Sequence, residues 1–162
     1  MADLAEAREL ARLVVRLSET ARAHFAAAVA EVGVPVLLAR TILLVDGRTP
    51  MRDVADELGC DPSYVTGIAD QLESRGLARR AIGKDRRVKV LELTDVGAEL
   101  QTQVAEAVDR RGPFGHQLTA EQRRTLRELL ELLLSESVYA AAPNCTYEEV
   151  GTGASWSSPT VS

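Results

Sequence analysis

The spacing of helix-start and helix-stop residues in the middle of the sequence most strongly limits what the chain can fold into. Thr49 and Asp61 each precede a proline, and an N-cap residue followed by proline at the first helical position is typical of a helix start. Gly59 and Gly76 follow at the distance where each short helix should end. These residues predict two short helices joined by a tight turn, the first with Thr49 as its N-cap.

A β-hairpin is predicted directly after the second short helix. Strand-like runs lie at residues 77–82 and 87–93, and the glycine between them suits a hairpin loop. This hairpin, called the wing below, carries Lys84, Asp85, Arg86 and Arg87 in its loop. An arginine at the tip of a thin hairpin can enter the minor groove of DNA, where the potential is most negative.

Asp85 has two interpretations beside Arg87. It can hold the Arg87 guanidinium in place through a forked ion pair, in which case both residues serve one site. Alternatively, the two side chains form an exposed ion pair that contributes little to the fold.

Long amphipathic helices are predicted on both sides of this central segment. Apolar residues recur at steps of three and four over residues 3–31, and residues 34–45 are almost uniformly apolar. Thr94 caps a helix that runs to about residue 110, and Thr119 with Gln122 forms the capping box of a leucine-rich last helix. No apolar run approaches the ~20 residues of a membrane span. We therefore expect a mainly α chain with a small β-hairpin wing.

Charge is distributed unevenly along the sequence. The net charge is −5, yet residues 75–89 contain seven basic residues and one acid, which gives this stretch a charge of +6. A basic stripe on an acidic body is the footprint of a surface that binds a polyanion. The alternative is chance clustering on a solvated surface. No catalytic triad, phosphate loop or metal-ligand spacing is present, so we predict no enzyme, no cofactor and no metal site.

The second short helix carries the candidate residues for reading DNA. Its apolar residues share one face, and the opposite face presents Ser63, Thr66, Gly67 and Asp70, with Tyr64 and Gln71 on the edges. A recognition helix enters the major groove by its N-terminal half, which is where these residues lie. Two alternatives stay open, because Ser63 can cap the helix start and Tyr64 can pack on the first helix.

Taken together, these motifs resemble the MarR family of bacterial transcription regulators. The wing signature is Asp85-x-Arg87 followed after five residues by Leu93-Thr94. Residues 58–68 are similar to the recognition-helix region of the family, and residues 71–77 match its "RLExxGL" exit, with Gln71 where Arg is usual. Gly67 stands where many members carry Arg. The resemblance covers residues 3–138.

The resemblance implies a winged helix-turn-helix homodimer whose N- and C-terminal helices interlock. On that basis the chain divides into an N-terminal dimerisation helix with the helix after it (1–47), a DNA-binding domain (48–94), C-terminal dimerisation helices (95–142) and a disordered tail (143–162). The alternative use of the long apolar helix faces is an intramolecular bundle.

The function implied is that of a sequence-specific transcriptional regulator. We expect a cytoplasmic repressor that binds a pseudo-palindromic double-stranded DNA operator, has no membrane partner and is released by an aromatic or phenolic small molecule. Arg16, His24 and Arg40 are the candidate residues of the effector pocket. We expect Cys60 to be a small packed residue rather than a redox sensor. The competing hypothesis is a winged-helix module that binds protein instead of DNA.

Overall fold

The structure is a computed structural model that describes residues 3–112 and 117–135, and within those ranges it contains six helices and three strands. In chain order they are α1 (Leu4–Val32), α2 (Val36–Leu44), β1 (Arg48–Pro50), α3 (Met51–Leu58), α4 (Pro62–Ser74), β2 (Ala78–Ile82), β3 (Lys89–Leu93), α5 (Asp95–Arg111) and α6 (Ala120–Ser135). The mainly α prediction with a small wing is confirmed. The tail predicted for residues 143–162 lies outside the described residues.

Side-chain caps and glycines set the helix boundaries, as the sequence predicts. Asp61 is the N-cap of α4, and Thr94 is the N-cap of α5. The capping box before α6 is present, because the Thr119 backbone N–H donates to the Gln122 side chain at 2.9 Å and the Gln122 N–H donates to Thr119 Oγ1 at 3.2 Å. Gly59 ends α3 in the left-handed conformation with φ 64°, which explains the glycine there.

The predicted start of the first short helix is wrong. Thr49 and Pro50 belong to β1, and α3 begins only at Met51. Thr49 Oγ1 accepts a hydrogen bond from the Asp46 backbone N–H at 2.9 Å, so this side chain closes the preceding turn and does not cap a helix. Proline is tolerated in β1 because an edge strand leaves one side of its backbone unpaired.

The sheet has three antiparallel strands in the order β1-β3-β2, one more than the predicted hairpin. β3 is central: Val90 lies between Pro50 of β1 and Ala81 of β2. The second wing strand starts at Lys89, two residues later than predicted, since Gly83 N–H donates to the Val88 carbonyl at 2.7 Å and closes the loop there. The sheet thus joins the wing to the segment that precedes α3.

One hydrophobic core joins α2, α3, α4, α5, the sheet and the C-terminal part of α1. Its largest fully buried side chains are Val29, Leu38, Thr41, Ile42, Val45, Val54, Val65, Ile68, Leu72, Leu77, Leu91 and Val104. The Gln101 side-chain amide of α5 donates to the carbonyls of Ile42 and Val45 at 2.7 and 2.8 Å. It therefore ties α5 to the end of α2, where the Ile42 carbonyl also accepts from the Val45 backbone N–H at 3.3 Å.

Two helices leave apolar side chains outside this core. The exposed leucines and valines of α1 are Leu4, Leu10, Leu13, Val14, Val15 and Leu17, and the exposed leucines of α6 are Leu129, Leu130, Leu132, Leu133 and Leu134. None of the residues of α6 is buried. Within the described ranges, no single helix has the length and apolar character of a membrane span; α1 and α2 pass that test only as a pair bent by 96°.

The start of α5 packs directly on the turn between α4 and β2. The Thr94 hydroxyl donates to the Gly76 carbonyl at 2.7 Å, and the Thr94 N–H donates to the Leu77 carbonyl at 3.1 Å. A Cβ atom at Gly97 would overlap the Leu77 carbonyl oxygen and lie 2.9 Å from its carbonyl carbon. Only glycine allows α5 to approach the winged segment this closely.

We expect Gly97→Ala to destabilise the protein by about 3 kcal/mol, because backbone must move to make room for the methyl group. Gly67→Ala is the matched control. A Cβ atom at Gly67 meets nothing within 4 Å, so this change should stabilise the exposed middle of α4 by ~0.5–1 kcal/mol. Urea unfolding followed by circular dichroism measures both changes. Equal stability of the two variants would contradict the close packing of α5 on Leu77.

Candidate nucleic-acid interface

The five residues predicted to read DNA lie on the solvent face of α4. Ser63, Thr66, Gly67 and Gln71 are exposed, and Tyr64 is 41% exposed. The opposite face of α4 is buried through Val65, Ile68, Ala69 and Leu72. Because the apolar face is anchored in the core, the polar face is held outward at a fixed orientation.

The N-terminus of α4 is capped by Asp61 and not by Ser63. Asp61 Oδ1 accepts a hydrogen bond from the Ser63 backbone N–H at 2.8 Å, and Pro62 occupies the first helical position. Ser63 is therefore the residue that the cap holds and is not itself the cap. The Thr66 hydroxyl lies 3.4 Å from the Pro62 carbonyl, and Thr66 as a whole is exposed. A surface of small side chains allows another molecule to approach the helix closely.

Hydrogen bonding lowers the pKa of Asp61 below the ordinary value of an aspartate. The Ser63 side chain is the largest cause, followed by the Ser63 backbone N–H, whose 2.8 Å distance to Oδ1 has hydrogen-bond geometry. The carboxylate is thus ionised at neutral pH and stabilises the positive end of the helix dipole. Asp61 therefore helps to hold the first turn of α4, which contains Ser63 and Tyr64.

Asp85 shapes the wing loop, and its carboxylate forms neither the forked pair nor the exposed ion pair with the Arg87 side chain. Asp85 Oδ1 accepts from the Arg87 backbone N–H at 2.9 Å, and the Asp85 carbonyl accepts from the Val88 N–H at 2.9 Å. This is an Asx turn, in which a short carboxylate replaces a backbone acceptor two residues before the donor. The Asp85 carboxylate is hydrogen-bonded to the loop backbone, and it does not pair with the Arg87 guanidinium.

The basic stripe of residues 75–89 is only partly available to a ligand. Arg79 Nε lies 3.3 Å from Glu92 Oε2, and Arg80 contacts Glu73 at 2.6 Å and Asp70 at 2.5 Å.

The cations Lys84, Arg86, Arg87 and Lys89 are exposed, and they form no ion pair with any acid in the part of the chain that the structure describes. The exposed cations of the stripe that have no such partner are therefore in the wing loop and at the start of β3, while Arg75 is half-buried at the C-cap of α4.

Arg48 adds a cation at the wing that the sequence pattern does not reveal. Its Nη2 donates to the Ile82 carbonyl at 2.7 Å, which brings an exposed guanidinium from β1 to the end of β2. The sequence gives no sign that Arg48 lies beside the wing, because β1 has three residues, too few to show an alternating strand pattern.

The candidate effector residues lie on two helices, and their joint site stays a prediction. Arg16 is exposed on α1, and His24 follows eight residues later, about 12 Å along the same helix. His24 is half-buried, and its Nδ1 is buried with no hydrogen-bond partner among the described residues. Arg40 is half-buried on α2.

Cys60 is half-buried and packs against the core, as expected. Among residues 3–112 and 117–135 there is no group of three or more His, Cys, Asp or Glu side chains that could hold a metal ion.

Comparison with solved structures places this arrangement in a known fold. A MarR-family transcriptional regulator from Rhodococcus sp. RHA1 matches with a TM-score of 0.66 and 24% identity over 82% of this chain and 96% of that chain. CouR from Rhodococcus jostii RHA1, bound to p-coumaroyl-CoA, matches with a TM-score of 0.66 and 23% identity over 79% and 93%. A cysteine variant of MarR from E. coli, complexed with operator DNA, matches with a TM-score of 0.60 and 23% identity over 82% and 99%.

These similarities show that the chain has the winged-helix fold of the MarR-family regulators over most of its length. The sequence itself matches no protein-family model and no curated protein.

The cap of α4 should make its stability depend on pH. The pKa of Asp61 is lowered in the folded state, so its ionised form stabilises the fold above about pH 4 and this contribution is lost as the pH falls further. Asp61→Asn keeps a capping side chain without the charge. The unfolding free energy of the native protein should therefore fall more steeply than that of the variant between pH 5 and about pH 3. Urea denaturation across this range tests it, and parallel curves for the two proteins would contradict it.

Proposed function

We propose that the chain is a MarR-family transcriptional regulator that binds double-stranded DNA sequence-specifically. The observation that carries the proposal is the position of two surfaces on one winged segment. The first is the exposed face of α4 made of Ser63, Tyr64, Thr66, Gly67 and Gln71, and the second is the wing loop with cations that lack acidic partners among the described residues. The proposal is further supported by the fold shared with a MarR variant complexed with operator DNA.

In this proposal, α4 enters the major groove and the wing loop reaches the neighbouring minor groove. The small side chains at Ser63, Thr66 and Gly67 allow the helix to lie close to base edges, and the Tyr64 ring and the Thr66 methyl group suit contact with thymine methyl groups. Arg87 is the minor-groove residue, on a loop whose shape Asp85 maintains. Lys84, Arg86 and Lys89 neutralise phosphates and release their counterions.

We also propose that the protein acts as a homodimer through α1 and α6. The leucines of α6 form an apolar surface with no buried residue, and the first half of α1 carries a second apolar surface. An amphipathic helix is stable in water only when its apolar face is covered. A second copy covers both surfaces and places two copies of α4 on one side, as a pseudo-palindromic operator requires.

Release of the operator by a small molecule completes the proposed function. An aromatic or phenolic effector bound near Arg16, His24 and Arg40 would act by favouring a spacing of the two α4 helices that misfits the half-sites. Support comes from the unpartnered buried Nδ1 of His24 and from CouR, a protein of the same fold bound to p-coumaroyl-CoA. We accordingly propose a repressor that works in the cytoplasm and has no catalytic activity.

The first test is selection of preferred sequences from a pool of random duplexes, followed by fluorescence anisotropy on the selected and scrambled duplexes. We expect selective binding that weakens with salt, and an Arg87→Ala variant whose salt slope is smaller by about one because one phosphate or minor-groove contact is lost. Arg110→Ala is the matched control, since Arg110 is an exposed cation on α5 outside the proposed interface.

Equal, weak binding of the native protein to both duplexes would contradict the proposed regulator. If Arg87→Ala then binds a protein partner as well as the native protein does, the alternative function is favoured, a winged-helix module that binds protein.

The dimer is tested by sedimentation velocity. Leu129→Glu places a charge in the apolar surface of α6, so we expect it to shift the protein from a dimer toward a monomer by at least tenfold in dissociation constant. Arg124→Gln changes the net charge by the same amount at a position about 140° around the helix, and it should leave the dimer intact. A native protein that sediments as a monomer at micromolar concentration would contradict the homodimer.

A further inference from the structure

Arg80 is the point at which the recognition helix and the wing are joined by polar contacts. Its backbone N–H donates to Glu73 Oε1 at 2.7 Å, and its Nη1 donates to Glu73 Oε2 at 2.6 Å. Its Nη2 donates to Asp70 Oδ1 at 2.5 Å and to the Thr66 carbonyl at 2.7 Å. Four hydrogen bonds thus run from one residue of β2 to three residues of α4.

These contacts span the part of α4 that is proposed to meet DNA. Thr66 is itself an exposed residue of that face, and Asp70 and Glu73 lie one and two turns further along the helix. Arg80 therefore holds α4 by its backbone as well as by its side chains. Only 26% of the Arg80 side chain is exposed, whereas the wing-loop cations are exposed.

We infer that Arg80 is a positioning residue that fixes the orientation of α4 relative to the wing, so that helix and wing fit adjacent grooves of the same duplex. The inference rests on the proposed function. Arg80 belongs to the basic stripe of the sequence, but its guanidinium is already bound to two carboxylates and a carbonyl. It acts on DNA through α4 and makes no phosphate contact of its own.

The geometry requires arginine at this position. The planar guanidinium directs its N–H groups at Glu73, Asp70 and the Thr66 carbonyl at the same time. A lysine ammonium keeps the positive charge but is a single point at the end of a flexible chain, and it cannot hold that set of acceptors in one fixed plane. Arg80→Lys therefore separates the positioning role from the charge.

Glu73→Gln tests the inference because the two explanations predict opposite signs. If Glu73 affects DNA only through its charge, removing that charge should tighten binding to a polyanion. If it holds Arg80, the variant should lose selective affinity, since the glutamine NH₂ group then faces a guanidinium that can only donate. We expect the ratio of affinities for the selected and scrambled duplexes to fall about tenfold. Glu57→Gln, the same change at an exposed position of α3, is the matched control and should keep the native ratio.

Arg80→Lys is the second variant, and salt dependence is the second readout. It should lose selectivity to a similar degree while its salt slope stays native, in contrast to Arg87→Ala, because no phosphate contact is removed. Hydrogen exchange of the DNA-free proteins should show faster exchange of the α4 amides in both variants and native exchange in α5. Cooperative melting of each variant, checked first, confirms that it is folded at the temperature of the assay.

The outcomes separate this inference from the proposed function. If the native protein selects a duplex and both variants bind it with native selectivity, or if Glu73→Gln binds it more tightly, Arg80 is not a positioning residue and the regulator stands. A reduced salt slope in Arg80→Lys would also overturn the inference, since it would indicate a phosphate contact. If the native protein selects no duplex, the proposed function fails and the inference fails with it.

Discussion

Burial of one face of α4 is the constraint on which the rest of the winged segment depends. Val65, Ile68 and Leu72 are almost completely removed from water in a core shared with α2, α3, α5 and the sheet. Because a helix turns by about 100° per residue, anchoring this face also decides which side chains face solvent. The small, polar face of α4 is thus a consequence of apolar packing, and its position is as firm as the core that supports it.

Electrostatic neutralisation within the protein then decides where positive charge remains. Arg79 and Arg80 are bound to acids of β3 and α4, so they contribute to the internal structure of the segment more than to its surface potential. The exposed wing cations keep their charge, on a chain whose net charge is −5. Cations that are neighbours in the sequence are therefore divided between a group paired with acids inside the protein and a group exposed to solvent. The exposed group is confined to the wing loop and the start of β3 and does not form a broad basic surface.

The remaining helices connect this segment to apolar surfaces that the core does not cover. Gly97 lets α5 pack directly on Leu77, and Gln101 ties α5 to the end of α2. Arg111 at the end of α5 forms an ion pair with Glu31 near the end of α1, which also lowers the pKa of Glu31 through its hydrogen bond and charge. A movement of α1 or α5 would be transmitted to the base of the winged segment through these contacts, because packed elements move together.

Sequence alone was enough to predict the helices and three of their starts, since these depend on neighbouring residues: Asp61, Thr94 and the pair Thr119–Gln122 act within one helical turn. It also identified the exposed residues of α4, because helical periodicity alone separates them from the apolar face. Features that depend on partners distant in sequence became visible only in the folded chain. Thr49 joined a strand instead of capping a helix because β3 lies beside it, and Arg80 was neutralised because α4 folds back onto β2. Asp85 accepts from the Arg87 backbone N–H and not from the Arg87 guanidinium. Both donors belong to the same residue, so sequence spacing cannot decide between them.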